Sequence, residues 1–161
     1  MEIYVLQVKS GCEYSVTEKL KGLGFSALCP TWENHIRQGG QWKVQEKLIF
    51  TQYVFIECEL DDDVYYKIKS ADGVVRFLGF GRPQPLSADE QAYIEILGNN
   101  GEPIKASKVY TTISGDKMIM SGILRKYADK ITFLDARQRK AKVELTLHGK
   151  KHTITLPIVG I

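Results

Sequence analysis

Residues 98–108, GNNGEPIKASK, separate two stretches of chain whose hydrophobic periods differ. The segment holds two Gly, two Asn and a Pro, and its apolar residues follow no period, so it reads as a linker. Eleven flexible residues have a root-mean-square reach of about 18 Å, enough to tether a second domain without fixing it. The boundaries that follow are a first domain over 1–97, the linker over 98–108 and a second domain over 109–161.

Before the linker, strand and helix patterns alternate. IYVLQVK (3–9) is β-branched and aromatic and ends at Ser10-Gly11. CEYSVTEKLKGLG places Val16, Leu20 and Leu23 on one helical stripe, with Gly24 as its stop. FSALCP (25–30) is a second strand, and HIRQGGQWKV predicts a hairpin turning at Gly39-Gly40. FTQYVFIECEL (50–60) is the most β-prone run in the chain. Asp61, Asp62 and Asp63 then open a short helix, where its dipole favours acids; adjacent acids point in different directions and suit a metal poorly. VVRFLGF (74–80) is a further strand, and Ser87 with Glu90 has the spacing of a capping box at the start of a last helix. The sum is an α+β domain, a small mixed sheet with flanking helices.

After the linker no stripe of period 3.6 survives. Ile119, Ile123, Ile131, Phe133, Ala141, Val143, Leu145, Leu147, Ile154 and Leu156 make short alternating runs between Gly, Asp and Lys turns. They predict a compact five-stranded β-barrel of about 50 residues.

Charge divides at the same place. Residues 1–100 carry 10 Lys and Arg against 14 Asp and Glu, whereas residues 101–161 carry 12 against 5. Such asymmetry points the second domain toward a polyanion. Its densest stretch is ARQRKAKVEL (136–145), four cations against one acid. Ala141, Val143, Leu145 and Leu147 alternate inward there, leaving Lys140, Lys142, Glu144, Thr146 and His148 outward. Arg137 and Arg139 lie in the turn before it, Arg125, Lys126 and Lys130 in the preceding loop, and Lys150 and Lys151 in the next turn. A solvated strand face explains the alternation but not the accumulated charge, and cations in hairpin turns suit phosphates. Tyr127 reads either as a stacking platform or as barrel core.

The remaining chemistry is sparse. Three dispersed cysteines form no CxxC pair, which argues for free thiols and against zinc. His148 and His152, flanking Gly149-Lys150-Lys151, offer too few ligands for a metal. There is no nucleophile–base set or phosphate-binding Gly loop, so a non-enzymatic protein without cofactors is expected. No apolar run approaches the roughly 20 residues of a membrane span, and MEIYVLQVKSG has an acid where a signal peptide is basic. A cytoplasmic monomer that does not engage membranes is expected.

IYVLQVKSG, KLIFTQYVFIECEL and GVVRFLGFGRPQPLSADE resemble the N-terminal (NGN) domain of the NusG family. ISGDK followed by SGILRKYADKITFLDARQRKAKVELTLHG is similar to its KOW motif, an SH3-like five-stranded barrel. Departures are Ile3-Tyr4 for the usual Trp-Tyr, Phe50-Thr51-Gln52-Tyr53 for Phe-Pro-Gly-Tyr, and Gly122-Ile123-Leu124 for Gly-Pro-(aromatic or Leu). They look like a specialised paralogue, most of all the LoaP antitermination factors of Gram-positive gene clusters. The resemblance implies transcription elongation and antitermination, with the NGN domain docked on the clamp helices of RNA polymerase's largest subunit. It puts Tyr53 and Phe55 on that contact patch, with Tyr4 and Leu6 contributing. It also implies that the basic residues of the KOW domain, Arg125, Lys126, Lys130, Arg137, Arg139, Lys140, Lys142, His148, Lys150 and Lys151, meet an RNA hairpin in the nascent transcript. Lys67 and Lys69 are candidates for polymerase or non-template DNA. The competing expectation is a general NusG-type adaptor whose KOW domain binds Rho or a ribosomal protein.

Overall fold

The computed structural model describes residues 1–161. The chain forms two units, Met1–Cys29 with Phe50–Gly98, and Pro30–Ile49 with Asn99–Ile161.

The first unit is built from β1 (Glu2–Val8), α1 (Glu13–Gly22), β2 (Ser26–Leu28), β5 (Tyr53–Cys58), α2 (Asp62–Lys69), β6 (Val74–Phe77) and α3 (Ala88–Gly98). Its strands lie in the order β2-β5-β1-β6, and every pairing is antiparallel, so the sheet is not mixed as expected. β1 and β2, joined through α1, flank β5, and β5 and β6, joined through α2, flank β1, so each helical crossover spans one inserted antiparallel strand.

The register sorts the side chains. Tyr4 lies opposite Ile56 and Leu6 opposite Val54, and these residues form one buried core with Val16 and Leu20 of α1 and Ile68 of α2. Val5 lies opposite Phe55, Gln7 opposite Tyr53 and Leu28 opposite Phe55, on the other face. Leu28 there reaches the C-terminal end of α3 at Gly98. Leu23 is exposed, because α1 has already ended and Leu23 only closes its last turn.

α2 and α3 start at side-chain caps. The Asp61 carboxylate accepts from the Val64 amide at 2.8 Å, and Ser87 and Glu90 bond reciprocally at 2.9 and 3.3 Å. Gln52 has φ +66, a left-handed conformation that disfavours side chains. The buried Glu13 carboxylate accepts its amide at 2.8 Å, and its carbonyl accepts the Val8 amide at 2.9 Å. Two fixed hydrogen bonds thus hold Gln52 in the conformation where the familiar pattern has glycine.

The second unit contains β3 (Thr31–Gln38) and β4 (Gln41–Leu48), a 3-10 turn (Asn99–Gly101), then β7 (Ser107–Thr111), β8 (Lys117–Ser121), a second 3-10 segment (Ile123–Lys130), β9 (Ile131–Asp135), β10 (Lys140–Leu147) and β11 (Lys150–Gly160). β3 and β4 form the expected hairpin about Gly39 and Gly40, whose φ values of +59 and +77 suit a type I′ turn. The later strands form one five-stranded sheet, β8-β7-β11-β10-β9, parallel only between β11 and β7. Its edges, β8 and β9, are not bonded to each other. Val109, Leu124, Tyr127, Ala141, Val143, Leu145, Leu147, Ile154, Leu156 and Ile158 are buried in this unit.

Two expectations change here. The hairpin groups with the second unit rather than lying within a first domain of 1–97. Residues 98–108 are not a free tether either. Ile104 is 1% exposed, donates its amide to Thr31 and accepts that of Glu33, both at 2.9 Å. The Asn99 side-chain amide donates to the carbonyls of Glu102 and Pro103. Gly and Asn content signals turns, and one apolar residue with a strand edge to pair against is enough to anchor them.

Candidate nucleic-acid interface

β10 alternates as its sequence predicts, with Ala141, Val143, Leu145 and Leu147 buried and Lys142 and Thr146 exposed. Register extends this outer face across its neighbours. Lys142 lies opposite Thr155 on β11 and Phe133 on β9; Lys140 lies opposite Pro157 and Asp135. Glu144 faces Thr153, and Thr146 faces Lys151. The face is therefore a plane of hydroxyls and ammonium groups with acids that are already engaged. The Asp135 carboxylate accepts the amides of Arg137 and Gln138 at 3.0 and 3.1 Å, while Glu144 lies 3.6 Å from the Lys151 ammonium.

The ten basic candidates do not share one location. Lys140 and Lys142 stand on the sheet face, Arg137 in the β9–β10 turn, and His148, Lys150 and Lys151 around the β10–β11 turn. His148 and Gly149 form that turn with φ +52 and +73, and His152 lies opposite Leu145, so His148 and His152 do not pair across it. Burial, then Lys150, pushes the His152 imidazole below its ordinary range. Arg125, Lys126 and Lys130 lie on the 3-10 segment. Arg125 there lines a groove of about 550 Å³ with Lys117, Ile119, Ala128, Ile131 and Leu134, between the unpaired edges β8 and β9.

Arg139 is withdrawn from the basic face. Its φ is +58, its guanidinium stacks 4.0 Å over the Trp42 ring, and Nη1 lies 3.1 Å from His35 Nδ1. A cation over an indole within 6 Å is attracted by about 0.5–2 kcal/mol, depending on how far it is desolvated. Sequence alternation could not show this, since the left-handed residue turns the side chain out of the strand's pattern. Arg37 also lies over this ring, 5.5 Å from its centroid.

His35 makes this cluster sensitive to acid. Burial first and Arg139 second push its imidazole below the ordinary histidine range, against an opposing Glu33. Above about pH 6.5 both folded and unfolded histidine are neutral, and the stack is at full strength. Below that, the unfolded state takes up the proton first, so stability falls until the lowered folded value is passed. Trp42 emission should shift red over this window in the wild type, and the shift should be smaller in His35→Asn.

Tyr127 is fully buried and belongs to the core, not to a stacking surface. Phe133, assigned to the barrel runs by its spacing, is instead 44% exposed, with the Lys142 ammonium 5.5 Å from its ring centroid. A register irregularity between Lys142 and Val143 sets Ile131 opposite Val143 and leaves Phe133 opposite the outward Lys142. Period-two counting along β9 alone carries no sign of that bulge.

On the first unit, Tyr4 and Leu6 cannot share a patch with Tyr53 and Phe55, since register puts the two pairs on opposite faces. Both belong to the core beneath α1 and α2. Phe55 is 1% exposed, edge to face with Phe50 at 5.3 Å, so the expected exposure of this ring is corrected. Tyr53, half-buried and stacked on Phe50 at 6.3 Å, is the member of the set that reaches the surface. Lys69 donates to the Val75 carbonyl at 2.8 Å, while Lys67 is solvent-exposed.

No helix is long and apolar enough to cross a membrane. A family model described as "Transcription termination factor nusG" matches residues 1–95. The transcription termination/antitermination protein NusG of Thermus thermophilus is 28% identical, over 88% of this chain and 85% of that protein. The Bacillus subtilis protein of the same name is 24% identical, over 98% and 96%. A solved structure, "Domain interaction in Thermotoga maritima NusG", shares the fold with a TM-score of 0.61 at 23% identity, covering 98% of this chain and 93% of that one. With the matched model spanning more than half of its 161 residues, the chain belongs to the NusG family.

Proposed function

We propose that this chain is a non-enzymatic, processive antitermination factor of the specialised, LoaP-like kind. Its first unit binds RNA polymerase at the clamp helices of the largest subunit, with Tyr53 at the edge of the contact. Its second unit, a KOW domain, holds a hairpin in the nascent transcript. The observation that carries the RNA assignment is the outer face of β9–β10–β11, where Lys140 and Lys142 stand among Thr146, Thr153 and Thr155 with Arg137 and Lys150 at its two ends. Cations supply phosphate attraction there, and hydroxyls supply donors and acceptors suited to ribose and base edges. Two simultaneous targets raise local concentration, so modest affinity for each suffices for selective recruitment.

Titration of the full chain with a leader stem-loop at several salt concentrations tests this. Neutralising about four phosphates predicts a slope of log affinity on log salt of roughly −3 to −4. Affinity that is weak and independent of salt would contradict it.

A second reading has its own observation, the groove between β8 and β9. Ile119, Ala128, Ile131 and Leu134 make it apolar, and Lys117 and Arg125 give it a basic rim. That surface suits an apolar segment of a protein with an acidic flank, the adaptor role of a general NusG factor.

A further inference from the structure

We propose that Phe133 is a stacking platform for an unpaired base of RNA, with Lys142 beside it to receive the adjoining phosphate. The proposal rests on the RNA-binding reading above and adds to it the form of RNA recognised, a loop or single strand rather than a continuous duplex.

Three observations converge. The ring is 44% exposed on the basic face, where burial in the core would have been the favourable place for a phenyl group. Register sets Phe133, Lys142 and Thr155 in one row across three strands, an aromatic, a cation and a hydroxyl in sequence. The carboxylates of this face, Asp135 and Glu144, each stand beside a cation, Lys140 opposite Asp135 and Lys151 3.6 Å from Glu144, so their charge is partly offset near the row.

The row fits one nucleotide better than it fits a duplex. A phenyl face offers nothing to the edges of paired bases, but any unstacked base presents a π-face to it. The Lys142 ammonium lies over the ring, 5.5 Å from its centroid, within reach of a phosphate attached to a stacked base once it moves off that face. An exposed cation–π contact is weaker than base stacking, so an arriving base displaces the ammonium from the ring toward the phosphate. The Thr132 hydroxyl donates to the Lys142 carbonyl at 3.4 Å, tying the two strands together beneath the row.

The test uses the full chain and a stem-loop RNA whose purine-rich loop carries one 2-aminopurine, with a loopless duplex as the second probe. Wild type and Phe133→Tyr should quench the 2-aminopurine. Phe133→Ala and Phe133→Leu should lose the quench and bind the stem-loop about tenfold more weakly, with the salt slope and duplex affinity unchanged. Unchanged thermal unfolding of the variants shows that the exposed ring was not holding the fold. If Phe133→Ala quenches and binds like wild type while charge reversal at Lys140 and Lys142 weakens binding, the platform is overturned and the RNA reading stands. If wild type binds neither probe, both are overturned. Loss of polymerase association in Phe133→Ala with stem-loop binding intact would assign the ring to a protein partner and overturn the platform.

Discussion

Gly122→Ala should unfold the second unit at temperatures where the wild type is intact, with a cost of about 3 kcal/mol or more. Two effects add. Gly122 has φ +103, a conformation that L side chains rarely adopt, and an added Cβ would lie 2.3 Å from Ser107 Oγ and 2.7 Å from Ser107 Cα. The second contact is with backbone, which no rotamer change relieves. The same serine is buried, and its hydroxyl accepts the Leu124 amide at 3.1 Å, so displacing it also leaves a buried donor unsatisfied. Gly149→Ala is the control. Its φ is +73, but nothing lies within 4 Å of the added carbon, so only about 1 kcal/mol of backbone strain is expected. Both tryptophans, Trp32 and Trp42, lie in the second unit, so tryptophan fluorescence reports its unfolding separately from that of the first. For a domain of this size, 3 kcal/mol corresponds to a fall in Tm of roughly 12–24 °C. A shift in Gly122→Ala no larger than in Gly149→Ala would contradict the assigned packing.

The charge-reversed double variant Lys140→Glu, Lys142→Glu should lose more than about 100-fold in affinity for the stem-loop near 0.1 M salt. Each phosphate contact releases close to one counterion, which at this salt amounts to nearly tenfold per contact. The salt slope should become shallower by about 2, which loss of shape or folding would not produce in the same proportion. Lys140 stands opposite Asp135, so reversal there also sets two carboxylates across one strand pair. The neutral variant Lys140→Gln, Lys142→Gln avoids that repulsion and should show the same change in slope with a smaller loss of affinity. Lys126→Glu, exposed on the 3-10 segment, gives the comparison at a cation away from the sheet face.

What the sequence shows of this protein is what depends on local pattern. Alternation in β10, the Gly39-Gly40 turn, the Asp61 cap and the Ser87–Glu90 box each involve residues within one or two turns of each other. Their chemistry is settled before the chain folds on itself. Hidden from such reasoning is whatever depends on pairing between distant strands. The Phe55 face follows from β1 register, and Phe133 emerges from the core because of one irregularity beside Lys142. Arg139, 104 residues from His35, is drawn from the basic set by a ring on a separate hairpin. Ile104 illustrates the same limit, since nothing near it in sequence predicts a partner at Thr31.

The RNA assignment is tested most directly by following backbone amide resonances of the isotope-labelled full chain while an unlabelled leader stem-loop is added. The predicted result is a set of shifts centred on Phe133, Lys140, Lys142, Thr153 and Thr155, fading as salt is raised. Shifts confined to Ile119, Ala128, Ile131 and Leu134, with β10 and β11 unmoved at saturating RNA, would contradict it.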